Sequence, residues 1–344
     1  MTRLVASLAL LLAAPLGLPP VPVRGESPSE AKVALGRALF DDKRLSVDGK
    51  VSCSSCHRPE HAFTDGLPVA RAEPRGAGTR NTPTLLNSAY LPSQFWDGRR
   101  ETLEEQAADP LVNPLEHALP SHDRVRELIA ADGDYAAKMR AAFGVPAEGI
   151  GLEHVVRALA AFERTLLAGD SPFDRYVYGH DAAALTEAQA RGLGVFTGRA
   201  RCASCHTVGE QDALFSDHAF HAIGIGQARV QPRLAEVSKR LVGLSRGERD
   251  RIITSDPEVA ELGRFAVTLK PVDVGRFRTP SLRNVALTAP YMHDGSVPTL
   301  SEAVERELYY RGLESDRPVI LTPREKADLV SFLEALTSAS LPSK

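Results

Sequence analysis

Apolar residues recur at helical spacing in several segments of the chain, and most of these segments begin with capping signals. Between 152 and 166 the apolar positions follow a period of 3.6 residues, which predicts a core helix closed by Gly169. The last helix has the clearest start, because Thr322, Pro323 and Glu325 form a capping box with proline in the first turn. The pattern therefore predicts a mainly α-helical protein.

Two further helices are predicted immediately before two short cysteine motifs. Ser27, Pro28 and Glu30 carry the cap, first-turn proline and capping-box acid of one helix. Thr186 and Gln189 form the capping box of the other. Each helix leads into a C-x-x-C-H motif, so the chain repeats one arrangement in its two halves.

Long irregular segments separate the predicted helices, and no convincing series of strands is present. Glycine and proline cluster at 71–82 and 271–280, which predicts long loops. The charge-rich segment 229–256 has apolar residues on one side of a predicted helix. A solvated surface insertion is the first interpretation of this segment, and a partner-docking element is the second.

The first 25 residues predict a signal peptide with an undetermined cleavage site. Arg3 precedes an apolar run at 4–12, which is shorter than the roughly 20 residues of a membrane-spanning helix. An uncleaved anchor is the alternative. After signal removal no stretch is apolar enough to span a membrane, so we expect an exported, periplasmic protein.

The 41 basic and 44 acidic residues leave a net charge of -3, which excludes a general attraction for nucleic acid.

The two cysteine motifs predict covalent attachment of two haems. Thiolates at this spacing reach the two vinyl groups of a haem, while the adjacent histidine ligates the iron. A four-cysteine zinc site would leave both histidines unexplained, and a thioredoxin-type redox pair needs a βαβ pattern that is absent. The residues are Cys53, Cys56 and His57 in the first motif, and Cys202, Cys205 and His206 in the second.

The separation of the motifs predicts two domains. His57 and His206 are 149 positions apart, so one haem belongs to each half of the 344-residue chain. We expect a mainly α fold with two cytochrome c-like haem domains packed face to face, with long loops. The boundaries predicted from the sequence are 26–180 for the N-terminal haem domain and 181–344 for the C-terminal haem domain.

The residues around both motifs resemble the bacterial di-haem cytochrome c peroxidase and MauG family. The resemblance lies in L-G-R-A-L-F at 35–40, R-N-T-P-T-L-L-N at 80–87 and F-W-D-G-R at 95–99, together with F-R-T-P-S-L-R-N-V and A-P-Y-M-H-D-G-S between 277 and 296. These stretches span nearly the whole mature chain. The resemblance implies a peroxidase that carries two haem c groups and Ca²⁺.

Four residues match the catalytic positions of the family. Trp96 matches the tryptophan that relays electrons between the haems, and Gln106 and Glu116 match the glutamine and catalytic glutamate above the first haem. Pro110 matches a pocket proline. Ordinary roles stay open as alternatives, namely core packing for Trp96 and a solvated loop position for Glu116.

Three residues match the surroundings of the family's inter-haem calcium. They are Asn81, Thr288 and Pro290, the last two through backbone carbonyls. Oxygen donors of this kind suit a hard cation. A turn-capping role is the alternative for Asn81.

Two departures from the family pattern affect the iron ligands. The distal histidine of the peroxidases would fall on Glu73, and no histidine occurs between His61 and His117. The first haem is therefore expected to be open to peroxide without prior activation.

The second departure concerns the sixth ligand of the second haem. The helix after the H-D-G turn lacks the methionine of the peroxidases. Tyr309 matches the tyrosine of MauG-like members if two residues are inserted, whereas counting without a gap from Pro290 reaches Glu307. Tyr309 is the first choice, with Tyr310, Glu307 and Met292 as alternatives.

Three functional hypotheses follow. The first is a MauG-like enzyme that reacts with hydrogen peroxide at the first haem and passes oxidising equivalents through Trp96 and the second haem to a protein partner. The second is a peroxidase that draws electrons from a small periplasmic redox protein. The third is a non-catalytic electron-transfer cytochrome, which Glu116 and the missing distal histidine disfavour.

Overall fold

The computed structural model describes residues 14–22, 28–72, 75–314 and 318–342, and within them helices dominate. The helices are α1 Glu30–Asp41, α2 Cys53–Cys56, α3 Leu103–Val112, α4 His122–Ala131, α5 Gly133–Phe143, α6 Leu152–Glu163, α7 Pro172–Val177, α8 Glu187–Thr197, α9 Gln227–Val230, α10 Leu234–Lys239, α11 Arg246–Ser255, α12 Pro257–Ala260, α13 Phe265–Thr268, α14 Leu300–Glu314 and α15 Pro323–Glu334. Four two-residue strands form two antiparallel pairs, β1 Arg71–Ala72 with β2 Gly76–Ala77 and β3 Phe220–His221 with β4 Phe277–Arg278. The predicted mainly α class is confirmed.

The helix starts follow the capping signals with one correction. The Thr322 hydroxyl accepts from the backbone N–H of Glu325 at the start of α15, and Thr186 caps α8 in the same way. The cap of α1 is Ser29, because its side chain accepts from the Lys32 N–H. Ser27, which the sequence suggested, lies outside the described residues.

The first half is built around the crossing of α1 and α6 at Gly36. A Cβ atom at Gly36 would lie 1.9 Å from the carbonyl oxygen of Ala158, so only glycine allows this approach. One turn further along each helix, the rings of Phe40 and Phe162 lie 5.1 Å apart. These side chains belong to an apolar core that extends to the first cysteine motif.

The second half repeats this crossing with α8 and α15. A Cβ atom at Gly192 would lie 2.0 Å from the carbonyl oxygen of Asp328. Phe196 and Phe332, each four residues further along, have ring centroids 5.1 Å apart. Each half therefore has its own core, and each core is organised by an equivalent pair of crossing helices.

The segment predicted as a solvated insertion forms a third, smaller core. Val237 and Leu241 are fully buried in it, together with residues of α11 to α13. The segment also contacts the first half, since Asp250 pairs with Arg100 at 2.7 Å. The apolar positions were predicted correctly, but the segment is a packed structural unit rather than a solvated surface insertion.

Residues 14–22 lie against both halves. The Gly17 carbonyl accepts from the Ala213 N–H at 3.0 Å, and the Tyr90 hydroxyl donates to the Pro19 carbonyl at 2.9 Å. The signal-peptide boundary at residue 25 stays a prediction. In the described part of the chain, no helix has the length and apolar character needed to cross a membrane.

Candidate active site

One large cavity brings the two cysteine motifs together. Its lining includes the six haem-attachment residues predicted from the sequence and also Trp96. None of the four cysteines forms a disulfide. The cavity therefore joins the two predicted haem positions across Trp96.

The motif histidines are held in the same way in both halves. His57 donates from Nδ1 to the Phe63 carbonyl at 2.9 Å, and His206 donates from Nδ1 to the Phe215 carbonyl at 2.9 Å. Burial lowers the pKa of His57, which favours its neutral form. With Nδ1 occupied by a carbonyl, Nε2 is the nitrogen that remains to ligate iron.

Three arginines in the cavity fit the propionate groups of haem. Arg80, Arg99 and Arg278 line the cavity, and the Nε of each is buried without a hydrogen-bond partner in the described structure. Burial lowers the pKa of Arg80 and Arg278 to about 10. A carboxylate beside them would relieve this desolvation cost. The cavity residues therefore suit two haem c groups.

The predicted catalytic residues lie together beside the first motif. Helix α3 places Gln106 and Pro110 four residues apart on one face, and both line the cavity with Glu116. The Asn113 amide donates to Glu116 Oε1 at 2.6 Å. Burial raises the pKa of the Glu116 carboxyl, and the charge of Arg99 partly opposes this. Glu116 is thus a half-buried carboxyl held by a hydrogen bond, and not a solvated loop acid.

His117 is a site residue that the sequence analysis used only to mark the end of a histidine-free stretch. It is buried and donates from Nδ1 to the Leu45 carbonyl at 2.7 Å. Its Nε2 lies 3.9 Å from Cys53 Sγ, at the haem-attachment edge of the pocket. Glu73, where a distal histidine would fall in the peroxidases, lies outside the described residues.

Glu163 is a second cavity residue that was not predicted. It lies at the end of α6, buried, and its Oε2 has no hydrogen-bond partner in the described structure. Burial raises its pKa to about 8. A lone acid inside an apolar stripe gives no sequence signal that distinguishes it from a helix-end carboxylate on the surface.

Trp96 is fixed by hydrogen bonds on both its ring and its backbone. The indole N–H donates to the Asn81 carbonyl at 2.9 Å, and the Arg278 N–H donates to the Trp96 carbonyl at 2.8 Å. Asn81, Thr288 and Pro290 all line the same cavity. The three residues that match the family's calcium surroundings thus lie in the cavity that contains the tryptophan.

Helix α14 presents different residues from those the resemblance favoured. Glu307 lines the cavity, whereas the Tyr309 side chain is 61% exposed. Tyr309 instead packs its ring against that of Tyr310, with centroids 5.2 Å apart. The structure does not bring Tyr309 to the second motif, because it lies on the opposite face of α14 from Glu307.

Together these features define a c-type di-haem oxidoreductase. The sequence profile of the di-haem cytochrome c peroxidase family matches residues 30–182. The chain is 36% identical to the cytochrome-c peroxidase IdrP1 of Pseudomonas sp. (strain SCT), covering 98% of this chain and 92% of that protein. It is 38% identical to the methylamine utilization protein MauG of Methylorubrum extorquens, covering 89% and 78% respectively.

A solved structure agrees with these relatives. The crystal structure of a MauG-like protein associated with microbial copper homeostasis superposes with a TM-score of 0.75 at 34% identity, covering 98% of this chain and 97% of that one. The chain belongs to the di-haem cytochrome c peroxidase family, which includes MauG. It is a peroxidase of the oxidoreductase class, and its family implies two haem c groups.

Proposed function

We propose that the protein is a periplasmic, MauG-like peroxidase that accepts hydrogen peroxide beside Glu116 and oxidises a protein partner. The periplasmic location rests on the predicted signal peptide and on the c-type attachment motifs. The observation that carries the proposal is the Glu116 carboxyl, which is half-buried in the cavity and held by Asn113 beside the first motif. An electron-transfer cytochrome has no need for a proton acceptor held in the cavity at this position.

The haem on His57 would supply the iron that reacts with peroxide. Glu116 takes a proton from the incoming peroxide oxygen and returns it to the departing oxygen. The Asn113 amide holds Glu116 Oε1 in place at 2.6 Å. Gln106 and Pro110 line the adjoining wall of the pocket.

Trp96 is the proposed route between the two haem positions. It lines the cavity that contains both motifs, and its indole N–H is fixed on the Asn81 carbonyl. An indole held in one orientation can lose and regain an electron without a change in its contacts. Oxidising equivalents generated near His57 then reach the His206 side and, from there, the protein partner.

A second candidate is a peroxidase that draws its electrons from a small redox protein. It is favoured by the 36% identity to the cytochrome-c peroxidase IdrP1, which is close to the 38% identity to MauG. The two candidates share the chemistry at Glu116 and differ only in the partner. A partner protein that is covalently altered supports the first, and one that is only reoxidised supports the second.

Calcium is part of the same proposal. Asn81, Thr288 and Pro290 would hold the ion through oxygen atoms beside Trp96, and its role would be to keep the tryptophan loop in place. Removal of calcium by a chelator should slow transfer between the haems and leave both covalently attached. Unaltered transfer after verified metal removal would contradict this role.

Glu116→Gln tests the proposed chemistry. The amide keeps the shape of the side chain but cannot accept the proton, so peroxide should react about 10²- to 10⁴-fold more slowly in stopped-flow absorption experiments. The matched control is Glu127→Gln, an exposed carboxylate on α4 that should leave the rate unchanged. An unchanged rate in Glu116→Gln would contradict the proposal.

The pH dependence of the same reaction supplies an additional check. Because burial raises the pKa of Glu116, the proton acceptor becomes available only above the usual range of a glutamate. The rate should rise with pH as Glu116 loses its proton, and Glu116→Gln should lose that rise.

A further inference from the structure

The inner face of helix α14 lies against the second haem motif. Val304 and Leu308 belong to the same apolar core as Phe215, whose carbonyl accepts from His206 Nδ1. Residues spaced three and four apart on a helix share one face. The α14 side chains that line the cavity are Leu300, Ala303, Val304, Glu307 and Leu308.

Glu307 and Tyr309 cannot both face this cavity. Each residue of an α-helix turns by about 100°, so positions 307 and 309 are separated by about 200°. Glu307 lies within the apolar inner face, and Tyr309 is 61% exposed on the outer one. Of the side chains described at 300–310, Glu307 alone both lines the cavity and carries an atom able to ligate iron.

Tyr310 is directed elsewhere by its packing. Its ring lies so close to Gly224 that a Cβ atom there would be 2.4 Å from Tyr310 Cε1. Tyr310 therefore packs against the loop at Gly224 and is absent from the cavity lining.

Among the other cavity residues of the second half that carry donor atoms, Tyr291, Met292 and His221 are less suited. Tyr291 donates its hydroxyl to the Val285 carbonyl at 3.1 Å. Met292 is not among the residues that pack in the second core. His221 has its Nε2 2.8 Å from Asp217, and this pair lies beside the Cys205 thiol, at the attachment edge of the haem.

We propose that Glu307 supplies the second axial ligand to the haem iron held by His206. The inference rests on the second haem of the proposed function. It assigns to the Glu307 carboxylate the ligand role that the family resemblance gave to Tyr309. The gap-free spacing from Pro290 to Glu307 agrees with it. An anionic oxygen ligand stabilises ferric over ferrous iron, so this haem should have a lower reduction potential than one with a methionine ligand.

The test is EPR spectroscopy and redox titration of the diferric holoprotein. Glu307→Ala should replace the low-spin signal by a high-spin one and raise the potential of the second haem. Glu307→His should keep a low-spin signal with altered g-values, and it decides the matter if Glu307→Ala does not assemble. Tyr309→Phe is the matched control and should leave both the signal and the potential unchanged.

The opposite pattern would overturn the inference. Loss of the low-spin signal in Tyr309→Phe would assign the ligand to the tyrosine, and an unchanged signal in Glu307→Ala and Glu307→His would exclude the carboxylate. These readouts need no peroxide, so failure of the proposed peroxide chemistry is distinguishable from failure of this ligand assignment.

Discussion

In the first half of the molecule α1 crosses α6 at Gly36, and in the second half α8 crosses α15 at Gly192, with equivalent phenylalanine pairs one turn away. Both motif histidines also donate to a phenylalanine carbonyl. The two halves therefore hold their motif histidines in the same way. The repeated scaffold accounts for the presence of one haem-attachment motif in each half. Any difference between the reactions of the two haems must therefore come from the other residues that line the cavity.

Those residues differ in polarity. The first half contributes the Gln106 and Asn113 amides, which can form hydrogen bonds, and the Glu116 carboxyl, which can transfer a proton. On the second motif, helix α14 contributes an apolar inner face interrupted by Glu307. A proton-accepting carboxyl suits a reaction with peroxide, and an apolar helix face with one ligating group suits electron transfer. Two copies of one scaffold can therefore divide a reaction between them.

The largest expected effect comes from removing one attachment site. Cys202→Ala combined with Cys205→Ala should leave one haem bound after denaturation, where the unmodified protein keeps two, because each C-x-x-C pair anchors its own haem. Haem content per chain, measured by the pyridine haemochrome assay, checks this. Loss of both haems would show that the halves do not bind haem independently.

Trp96→Phe tests whether the halves communicate through the indole. The replacement keeps an aromatic ring but removes the easily oxidised indole and its N–H to Asn81. Turnover with the partner should fall sharply, while haem content and the initial reaction with peroxide stay unchanged. Full turnover in Trp96→Phe would reduce Trp96 to a packing residue.

Substitution at the two helix crossings should destabilise the corresponding half. Gly36→Ala and Gly192→Ala each force a methyl group against a backbone carbonyl, and each should cost about 3 kcal/mol of unfolding free energy. Gly194→Ala is the matched control on α8, because nothing lies within 4 Å of a Cβ atom there. It should be neutral or stabilise by up to about 1 kcal/mol. Denaturant unfolding of the holoproteins measures the unfolding free energy of all three variants. Equal changes in Gly192→Ala and Gly194→Ala would contradict the close approach of α8 and α15 at Gly192.

The smallest expected effect is a pH dependence of the unfolding free energy that arises from Glu163 in the first half. Glu163 lies five residues beyond Ala158, and Leu333 occupies the equivalent position beyond Asp328. The pKa of Glu163 is raised from 4.5 to about 8, so the native state retains a proton that the unfolded state loses. This contribution to stability is present below pH 4.5 and is lost as the pH rises towards about 8.

Glu163→Gln should remove that loss. Unfolding free energies at about pH 5 and about pH 8 should differ less in Glu163→Gln than in the unmodified protein. Glu153→Gln, at an exposed position on the same helix, is the control and should keep the original difference. An identical pH dependence in all three proteins would show that Glu163 is ionised in the native state.

The repeated scaffold could be predicted from the sequence because its signals are local. Each capping box, at Thr186 and at Thr322, spans only a few residues, and so does each cysteine motif. The apolar stripe of α6 has the helical period. The family resemblance also identified Glu116 and Trp96, and both line the cavity. These residues are marked by the motifs around them.

The remaining site residues depend on contacts that no local pattern encodes. The orientation of Tyr309 follows from which face of α14 packs on the second core, and the resemblance alone could not supply that register. The burial of Glu163 and the positions of Arg80 and Arg278 depend on segments far apart in the chain. Their roles depend on both halves lining one cavity.

An EPR spectrum of the untreated ferric protein distinguishes a first haem that is open to peroxide from one that is closed by a sixth ligand. With the first haem open and the second fully ligated, we expect one high-spin and one low-spin signal, and only the high-spin signal should change when peroxide is added without prior reduction. A spectrum that is entirely low-spin, from a protein inert to peroxide until it is half-reduced, would show that the first haem is closed in the resting protein.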